Sequence, residues 1–404
     1  VLTTQYLGED FTFLDCPGSI EFLADTLNVL PAVDAAVVVC EPEPAKVQML
    51  RPFLKALTDA KVPHYLFVNK IEHASGSLRD LLALLQDASD KPLLLRQIPI
   101  WEGNTVTGFV DLALERAYVY RPHAESEVIE LNGEIRDREK DARFQMLEKL
   151  ADYDEHLMEE LLSDAEPPRD EVISDLAKDL ADGLLVPALM GSAEGDNGVR
   201  RLLKALRHEV PGVAKLAERI GVKTGNDAIV QVVKTYHSAH GGKLSLARVL
   251  CGTLKEGAVL HNRDGADMRV GGIASLKGEA QTKLAEAKTG DMVALLRLDA
   301  AATGDTLSTA KAAKLPKVEI EQLVPVYDLA IEAADRKDEV KLTAAIHKLQ
   351  EEDPSLHFRQ NAELHEMALE GQGEMHLKVA VEKLARKYGL KLNTHQPRVP
   401  STET

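Results

Sequence analysis

An acidic residue followed by a turn dipeptide ends the first apolar segment of the sequence, in Asp15-Cys16-Pro17-Gly18. An Asp at the end of a strand can hold the water shell of Mg²⁺, and a following Gly lets a backbone N–H approach a γ-phosphate without a side chain in the way. Alone, a Pro-Gly pair after a strand is more often a simple turn. Asp15, Pro17, Gly18 and the adjoining Ser19 are therefore candidate nucleotide-site residues that need support from other motifs.

A second polar loop, Asn69-Lys70-Ile71-Glu72, follows another apolar segment. A carboxylate at the last position can accept two hydrogen bonds from the N1–H and N2–H₂ groups of guanine, while the Lys70 stem covers the face of the base. As an isolated motif, this loop would be a polar strand-to-helix turn. One strand–helix pair separates it from Asp15, and this spacing favours a base-reading loop.

A third loop, Gly191-Ser192-Ala193, comes directly after the apolar segment Leu184–Met190. Small side chains there allow the backbone N–H of Ala193 to meet a purine O6, which is an acceptor in guanine, whereas adenine presents a donor at that position. The tripeptide carries almost no information alone. Three such loops, each at the carboxyl end of a predicted strand and in this order, predict a guanine-nucleotide site.

The elements that must position these loops alternate between short apolar strands and amphipathic helices from residue 11 to 86, beginning with the strand Phe11–Asp15. This alternation predicts a doubly wound parallel sheet. The pattern resumes at Leu184–Met190 and closes with a helix over Asn197–Glu209. A domain over 1–210 is expected, interrupted by an insertion over about 92–182 that contains a few strands and then charged helices.

A weakly patterned connector at 211–226 is followed by two segments with different patterns of strands and helices. Residues 226–310 contain short strands with Gly-rich turns, which predict a small β-barrel. Residues 322–395 have the order strand–helix–strand–strand–helix–strand, which predicts a ferredoxin-like α+β unit. Residues 396–404 are interpreted as the start of a link to further domains.

Composition restricts the class of protein. The 404 residues carry 48 Lys and Arg against 65 Asp and Glu, a formal net charge of −17, which argues against coating nucleic acid by general phosphate attraction and leaves local docking on a ribonucleoprotein open. No apolar run reaches the roughly 18–20 residues of a membrane span, so a cytosolic protein without a membrane partner is expected. The three Cys residues lie too far apart for a disulfide framework or a zinc cluster.

Taken together, these motifs make the sequence similar to the bacterial elongation factor G family of translational GTPases. Three longer strings strengthen the resemblance, because they match the close of the family's second domain and the turn and helix start of its third: Thr303-Gly304-Asp305-Thr306-Leu307, Glu352-Asp353-Pro354-Ser355 and Gly371-Gln372-Gly373-Glu374-Met375-His376-Leu377. The resemblance covers nearly the whole chain. It implies a GTPase-like sheet, a translation-factor barrel and a ferredoxin-like third domain.

The resemblance also implies cofactors, partners and residue roles. GTP or GDP and Mg²⁺ would bind, with Asp15 supporting the metal through water and the Gly18 N–H sensing the γ-phosphate. The base would be read by Asn69, Lys70, Glu72, Ser192 and Ala193. The ribosome is the expected partner, with the insertion meeting the ribosomal stalk protein, and a cytoplasmic monomer is expected.

The sequence departs from the family in three ways. It contains no GxxxxGK[ST] phosphate-binding string and begins at Val1, so we expect a piece of a longer protein that lacks this loop and the C-terminal domains. Ser19 stands where the family has its water-orienting His, and Glu72 replaces an Asp, as in a divergent paralogue. Two hypotheses follow: a factor that hydrolyses GTP to drive a ribosomal step, or a non-hydrolysing ribosome-binding or regulatory protein. The sequence contains no nucleophile–base pair or metal cluster that would support a third possibility, a metabolic α/β enzyme.

Overall fold

The computed structural model describes residues 1–74, 78–223, 225–238, 242–278, 280–311, 313–361 and 366–398. The chain divides into two compact units, one formed by Val33–Gly212 and the other by Val1–Ala32 together with Val213–Thr404. Within the described ranges, no helix combines the length and apolar character needed to cross a bilayer.

The unit over Val33–Gly212 is built on a four-stranded parallel sheet. In spatial order its strands are Ala36–Cys40, His64–Val68, Val186–Met190 and Leu93–Leu95. Both central strands are buried along their whole length, as expected for parallel strands covered on both faces. The predicted parallel sheet is therefore confirmed, and it extends into the segment expected to be an insertion, because Leu93–Leu95 pairs with Val186–Met190.

Four α-helices and two 3₁₀ segments connect or flank these strands: Pro44–Leu50 (3₁₀), Arg51–Asp59, Ile71–His73 (3₁₀), Leu78–Gln86, Arg169–Ala181 and Val199–Glu209. The chain is thus 3₁₀ over Pro44–Leu50 and becomes α-helical at Arg51. Buried apolar side chains from strands and helices, including Leu54, Leu66 and Leu85, form one continuous core.

The rest of this unit is a small antiparallel sheet with two further helices, Gly133–Ala151 and Glu155–Leu162. The sheet has the strands Gln97–Glu102, Thr105–Asp111, Arg116–Val119 and Glu127–Ile129 in chain order. Both helices start at side-chain caps: Asn132 accepts a bond from the Ile135 N–H at 3.0 Å, and Asp154 accepts one from the His156 N–H at 2.9 Å. The expectation of strands followed by charged helices is met.

The expectation that the strand near Phe11–Asp15 joins the parallel sheet is wrong. The strand Glu9–Phe13 pairs with Leu2–Tyr6 in an antiparallel hairpin that forms a separate two-stranded sheet. The turn residues Leu7 and Gly8 both have positive φ, at 50° and 80°, which suits a two-residue hairpin turn. Local pairing through this turn therefore replaces the parallel pairing that the strand–helix alternation predicted.

A helical segment follows the hairpin, with the 3₁₀ turn Ile20–Phe22, the helix Leu23–Val29 and the 3₁₀ turn Leu30–Ala32. It packs within the same unit as the barrel. The Arg219 guanidinium donates to the Leu30 carbonyl at 3.0 Å, and the Arg248 guanidinium donates to the Ala32 carbonyl at 3.1 Å. Arg219 ends the helix Val213–Arg219, which lies in the weakly patterned connector.

The barrel-like domain is an antiparallel sheet of eight strands. In spatial order they are Asp267–Arg269, Val259–His261, Thr306–Ser308, Ile229–Ser238, Gly242–Cys251, Met292–Leu296, Gly272–Lys277 and Ala280–Leu284, with Thr253–Lys255 and Glu286–Lys288 forming a separate pair. The strands Asp267–Arg269 and Gly272–Lys277 are separated by Val270 and Gly271, whose N–H groups donate to the carbonyls of Ala258 and Leu296 on different neighbours. The predicted barrel is confirmed.

The third domain packs two helices, Glu339–Glu352 and Glu374–Tyr388, against an antiparallel sheet, with a 3₁₀ turn at Arg336–Asp338. Its strands lie in the order His357–Asn361, Glu366–Gly371, Tyr327–Ala333 and Leu392–His395. This is the ferredoxin-like order that the sequence predicts. Residues 362–365, between two of these strands, and residues 399–404 of the expected link lie outside the described residues.

Candidate functional site

The second and third polar loops lie side by side in the unit Val33–Gly212. Their strands, His64–Val68 and Val186–Met190, are parallel neighbours, so both loops leave the same edge of the sheet. Backbone bonds join them: the Gly191 N–H donates to the Val68 carbonyl at 2.9 Å, and the Ile71 N–H donates to the Gly191 carbonyl at 3.1 Å. The sheet thus fixes the relative position of the two loops.

Glycine is required at position 191 because the chain approaches itself closely there. A Cβ at Gly191 would lie 2.2 Å from the Asn197 carbonyl oxygen and 2.7 Å from the Phe67 ring. Ser192 and Asn197 exchange two backbone hydrogen bonds, each 2.9 Å long, which close the loop. The small residues that the sequence places here therefore permit this tight loop.

Side chains cross between the two loops. The Ser192 hydroxyl, which is buried, donates to Oε1 of Glu72 at 2.9 Å. The Ala193 N–H donates to Oδ1 of Asn69 at 2.8 Å. The structure thus brings together Asn69, Glu72, Ser192 and Ala193, as the sequence predicts, but the Ala193 N–H expected to meet a purine O6 is engaged by Asn69.

The Lys70 side chain is held by a residue that the sequence analysis did not single out. Lys70 has left-handed backbone geometry with φ of 56°, and its ammonium pairs with the carboxylate of Glu41. Hydrogen bonds from Lys46 and Lys70 lower the pKa of Glu41 to about 2. Glu41 comes directly after the neighbouring parallel strand Ala36–Cys40, and this strand-end position is the signal that could have identified it.

The fit of a guanine base to this cluster can be judged from one atom. Oε2 of Glu72 is buried and has no hydrogen-bond partner, whereas Oε1 is engaged by Ser192. Guanine presents two adjacent donors, N1–H and N2–H₂, and an unpartnered carboxylate oxygen is a suitable acceptor. The polar groups of Glu72, Asn69 and Ser192 therefore fit a guanine base.

The Asp15–Ser19 loop belongs to the other unit and is largely exposed. Asp15, Pro17, Gly18 and Ser19 are all solvent-exposed, and a Cβ at Gly18 would meet no atom within 4 Å. An exposed carboxylate can hold a hydrated Mg²⁺, and no described atom fills the space beside Gly18. The Ser19 carbonyl accepts a bond from the Phe22 N–H at 3.0 Å, which begins the following 3₁₀ turn.

The residues just after this loop contact the third domain within the same unit. Oε2 of Glu21 accepts a hydrogen bond from the His376 N–H at 2.8 Å, at the start of the helix Glu374–Tyr388. The Phe22 ring meets the His376 imidazole edge-on at 5.8 Å between centroids. Gly373 leaves the room for Glu21, because a Cβ there would lie 2.3 Å from the Glu21 Cδ.

His376 is itself fixed by buried hydrogen bonds. Nε2 lies 2.8 Å from Oδ2 of Asp353, and Nδ1 accepts a bond from the Gln372 N–H at 2.9 Å. Burial would raise the pKa of Asp353, but hydrogen bonds from His376 and Ser355 hold it well below its ordinary value. The two third-domain strings found in the sequence, around Asp353 and His376, therefore meet at one point.

An ion pair joins the helical segment that follows the Asp15–Ser19 loop to the barrel. Asp25 on the helix Leu23–Val29 pairs with the ammonium of Lys234 on the strand Ile229–Ser238. Burial lowers the pKa of the Lys234 ammonium, but the negative charge of Asp25, and then that of Asp353, raise the pKa above its ordinary value. The segment after the Asp15–Ser19 loop is thus bound to both the barrel and the third domain, a connection that the sequence analysis missed.

Three family models match this chain in chain order. The elongation factor Tu GTP binding domain matches residues 1–212, elongation factor G domain 2 matches residues 227–310, and elongation factor G domain III matches residues 324–396. The combination defines a translational GTPase architecture.

Individual proteins agree with these models. An elongation factor G-like protein from Synechocystis sp. (strain ATCC 27184 / PCC 6803 / Kazusa) is 45% identical over 402 residues, which are 99% of this chain and 59% of that protein. A crystal structure from Thermus thermophilus superposes with a TM-score of 0.86 at 27% identity, covering 98% of this chain and 59% of that one. The chain thus spans less than two thirds of each relative. It belongs to the elongation factor G-like family of translational GTPases, as its motifs indicate.

Proposed function

We propose that this chain acts in a ribosome-directed translation factor that binds GTP and GDP with Mg²⁺ and hydrolyses GTP to drive a ribosomal step. The observation that carries the proposal is the cluster at the sheet edge. There Ser192 engages one oxygen of Glu72 and leaves the other buried and unpartnered, next to the Asn69–Ala193 bond. This arrangement supports recognition of guanine by Glu72.

The residues divide into base-reading and phosphate-facing groups. Glu72 accepts from the base, Asn69 and Ser192 hold the two loops together, and Lys70 lies beside them with its ammonium on Glu41. Asp15 would hold Mg²⁺ through water, and the Gly18 N–H would face the γ-phosphate. The metal supplies charge neutralisation for in-line attack of water on the γ-phosphate.

A nucleotide-dependent movement of the Asp15–Ser19 loop would be transmitted through the segment that follows it. Glu21 is bound to the third domain at His376, and Asp25 is bound to the barrel at Lys234. We infer that this movement reaches the barrel through Asp25 and the third domain through Glu21, and that the third domain relays it to the ribosome.

The second candidate function is a non-hydrolysing ribosome-binding or regulatory protein. The observation that favours it is Ser19, which stands at the family's water-orienting His position and has an exposed, short side chain. A hydroxyl there is too short to orient a water at the γ-phosphate from the strand end. In this case base recognition would persist without turnover.

The ribosome is the proposed partner, and the insertion helices are the proposed contact with the ribosomal stalk protein. Large apolar side chains are exposed on these helices, with Phe144 50% and Leu162 81% accessible to solvent. Side chains such as these are available for a contact with a partner protein. A cytoplasmic monomer is the proposed state of the protein.

The test measures base preference without relying on phosphate contacts. GMP and AMP are titrated into the 404-residue chain and binding is followed by ligand-observed saturation-transfer NMR. We expect GMP to bind at least about tenfold more tightly than AMP, and Glu72→Ala to abolish the preference, because unmatched buried acceptors and donors cost about 1–3 kcal/mol each.

The control is Glu130→Gln, a change at an exposed carboxylate in the same unit. It should leave both affinities unchanged. Equal affinity of the unmodified chain for GMP and AMP would contradict the proposed base recognition. Because the sequence contains no GxxxxGK[ST] string, GDP and GTP are expected to bind this chain only weakly.

A further inference from the structure

The hydroxyl of Tyr120 is buried and has no hydrogen-bond partner, and the same is true of Oε2 of Glu72. Tyr120 is 8% exposed and directly follows the strand Arg116–Val119, where its N–H donates to the Thr107 carbonyl at 2.8 Å. An O–H donor and a carboxylate acceptor are therefore both left unsatisfied in one unit of the protein. Buried polar groups of this kind are rare in folded proteins.

The two side chains lie in the same part of the core. Tyr120 and Ile71, the residue before Glu72, belong to one cluster of buried residues, and the strand Thr105–Asp111 packs against the Ile71–His73 turn. The Tyr120 ring packs 5.7 Å from that of Phe109 on this strand. Burial, and then the negative charge of Glu72, raise the pKa of the Tyr120 hydroxyl, so this group remains a protonated donor.

We propose that Tyr120 is a positioning residue for the base-reading carboxylate, with its hydroxyl donating to Oε2 of Glu72. This inference rests on the proposed function. A carboxylate has about four acceptor positions. Ser192 uses one on Oε1 and Tyr120 would use one on Oε2, which leaves two for the N1–H and N2–H₂ donors of guanine.

This arrangement gives a reason for the longer side chain at position 72. Glu has one more rotatable bond than Asp, so its carboxylate needs more restraint to hold one orientation. Ser192 restrains Oε1 from the neighbouring loop, and Tyr120 would restrain Oε2 from the antiparallel sheet of the insertion. The insertion would thereby contribute directly to guanine selectivity.

The experiment compares GMP, IMP and AMP binding to the 404-residue chain and to its Tyr120→Phe variant by saturation-transfer NMR. The phenyl ring is kept, so the fold and the thermal midpoint should be unchanged. We expect the Kd for GMP to rise about three- to tenfold, as for loss of one hydrogen bond. IMP lacks the N2 amino group and should lose less, and the Kd for AMP should not change.

Tyr118→Phe is the matched control, because Tyr118 lies on the strand that Tyr120 follows and its ring stacks on that of Phe109, with 5.0 Å between the centroids. It should leave GMP binding unchanged. Glu72→Asp provides a second measurement, since a shorter carboxylate cannot reach both Ser192 and Tyr120. We expect it to weaken GMP binding, and the further change Tyr120→Phe to add nothing.

The outcomes separate this inference from the proposed function. A GMP preference that is equally strong in the unmodified chain and in Tyr120→Phe would overturn the role of Tyr120 and leave base recognition standing. Glu72→Asp binding GMP as tightly as the unmodified chain would also overturn it. Absence of any GMP preference in the unmodified chain would overturn both.

Discussion

Glu21 accepts a hydrogen bond from the His376 N–H at 2.8 Å, although the two residues are 355 positions apart in the chain. The carboxylate thus caps the helix Glu374–Tyr388 from a distant segment and places a negative charge at its N-terminus. Gly373, the residue before this helix, makes the contact possible because it has no Cβ. The loop that carries Ser19 is thereby tied to the third domain.

Glu21→Ala should lower the free energy of unfolding by about 1 kcal/mol, the usual cost of losing a helix cap. Gly373→Ala should cost a similar amount, because its Cβ would lie 2.3 Å from the Glu21 Cδ and displace that side chain. In the double variant, Gly373→Ala should lower the free energy of unfolding little further, because the Glu21 side chain with which its Cβ would clash has been removed. Urea denaturation of all four proteins measures this coupling.

Glu382→Ala is the control for this cycle, because Glu382 lies on the same helix and makes no contact with Glu21 or Gly373 that the structure describes. Its effect should be within about 0.5 kcal/mol of zero. Strictly additive losses in the Glu21 and Gly373 variants would show that the two positions do not interact.

The second prediction concerns a buried ion pair in the unit Val33–Gly212. The Arg96 guanidinium donates to both carboxylate oxygens of Glu209 at 2.9 and 3.1 Å, and the Tyr65 hydroxyl donates to the same group at 2.9 Å. Glu209→Ala should lower the free energy of unfolding by about 3–5 kcal/mol, because Arg96 would remain buried and unpaired. Thermal and urea denaturation should show this loss.

Replacing Arg96 and Glu209 together tests the cause of that loss. If the cost of Glu209→Ala comes from the unpaired guanidinium, Arg96→Met combined with Glu209→Leu should recover part of the stability. A Glu209→Ala variant as stable as the unmodified chain would contradict this account.

The three polar loops could be predicted because each is a local string, and the chemistry of each depends on residues within a few positions. The proximity of the second and third loops, which carry Asn69, Glu72, Ser192 and Ala193, could also be predicted, because parallel strands bring their carboxyl ends to one edge of the sheet. The ferredoxin-like domain followed from clear helix and strand periods. The order of its elements then allows few topologies.

The missed residues act through contacts between distant parts of the chain. Glu41 lies 29 positions from Lys70, and Glu21 lies 355 positions from His376. Which side chains meet across such distances depends on packing that a single sequence does not specify. The hairpin of Glu9–Phe13 was missed for another reason. The side chains of a strand alternate between two faces whether it pairs parallel or antiparallel, and Leu7-Gly8 is not one of the strongest turn pairs.

The third prediction concerns turnover at Ser19. In a protein that carries this chain together with a phosphate-binding loop, Ser19→His should raise ribosome-stimulated GTP hydrolysis about 10²-fold or more, if orientation of the attacking water is what the serine fails to provide. Single-turnover release of phosphate on ribosomes measures it. Ser19→Asn, which adds size without an imidazole, is the control and should have little effect. Equal turnover in the unmodified and His proteins would mean that another group orients the water.

The last prediction uses the buried carboxylate of Asp179 on the helix Arg169–Ala181. Asp179 is 2% exposed and its Oδ2 has no hydrogen-bond partner. Burial, and then the charge of Asp175, raise its pKa to about 6, with smaller contributions in the same direction from Asp182 and Asp154 and an opposing one from Lys178. The folded protein therefore binds a proton at this carboxylate more tightly than the unfolded chain does.

This raised pKa destabilises the fold above about pH 6, where the buried group must be charged. The penalty declines as the pH falls and disappears below the ordinary pKa of 3.8, where both states are protonated. Asp179→Asn should therefore raise the free energy of unfolding by about 1–3 kcal/mol at about pH 7.5 and change it little at about pH 3.5. Urea denaturation at the two pH values tests this expectation, with Asp137→Asn, a change at an exposed carboxylate in the same unit, as the control. The same gain at both pH values would show that Asn stabilises by hydrogen bonding or packing, and that the charge of Asp179 has no part in it.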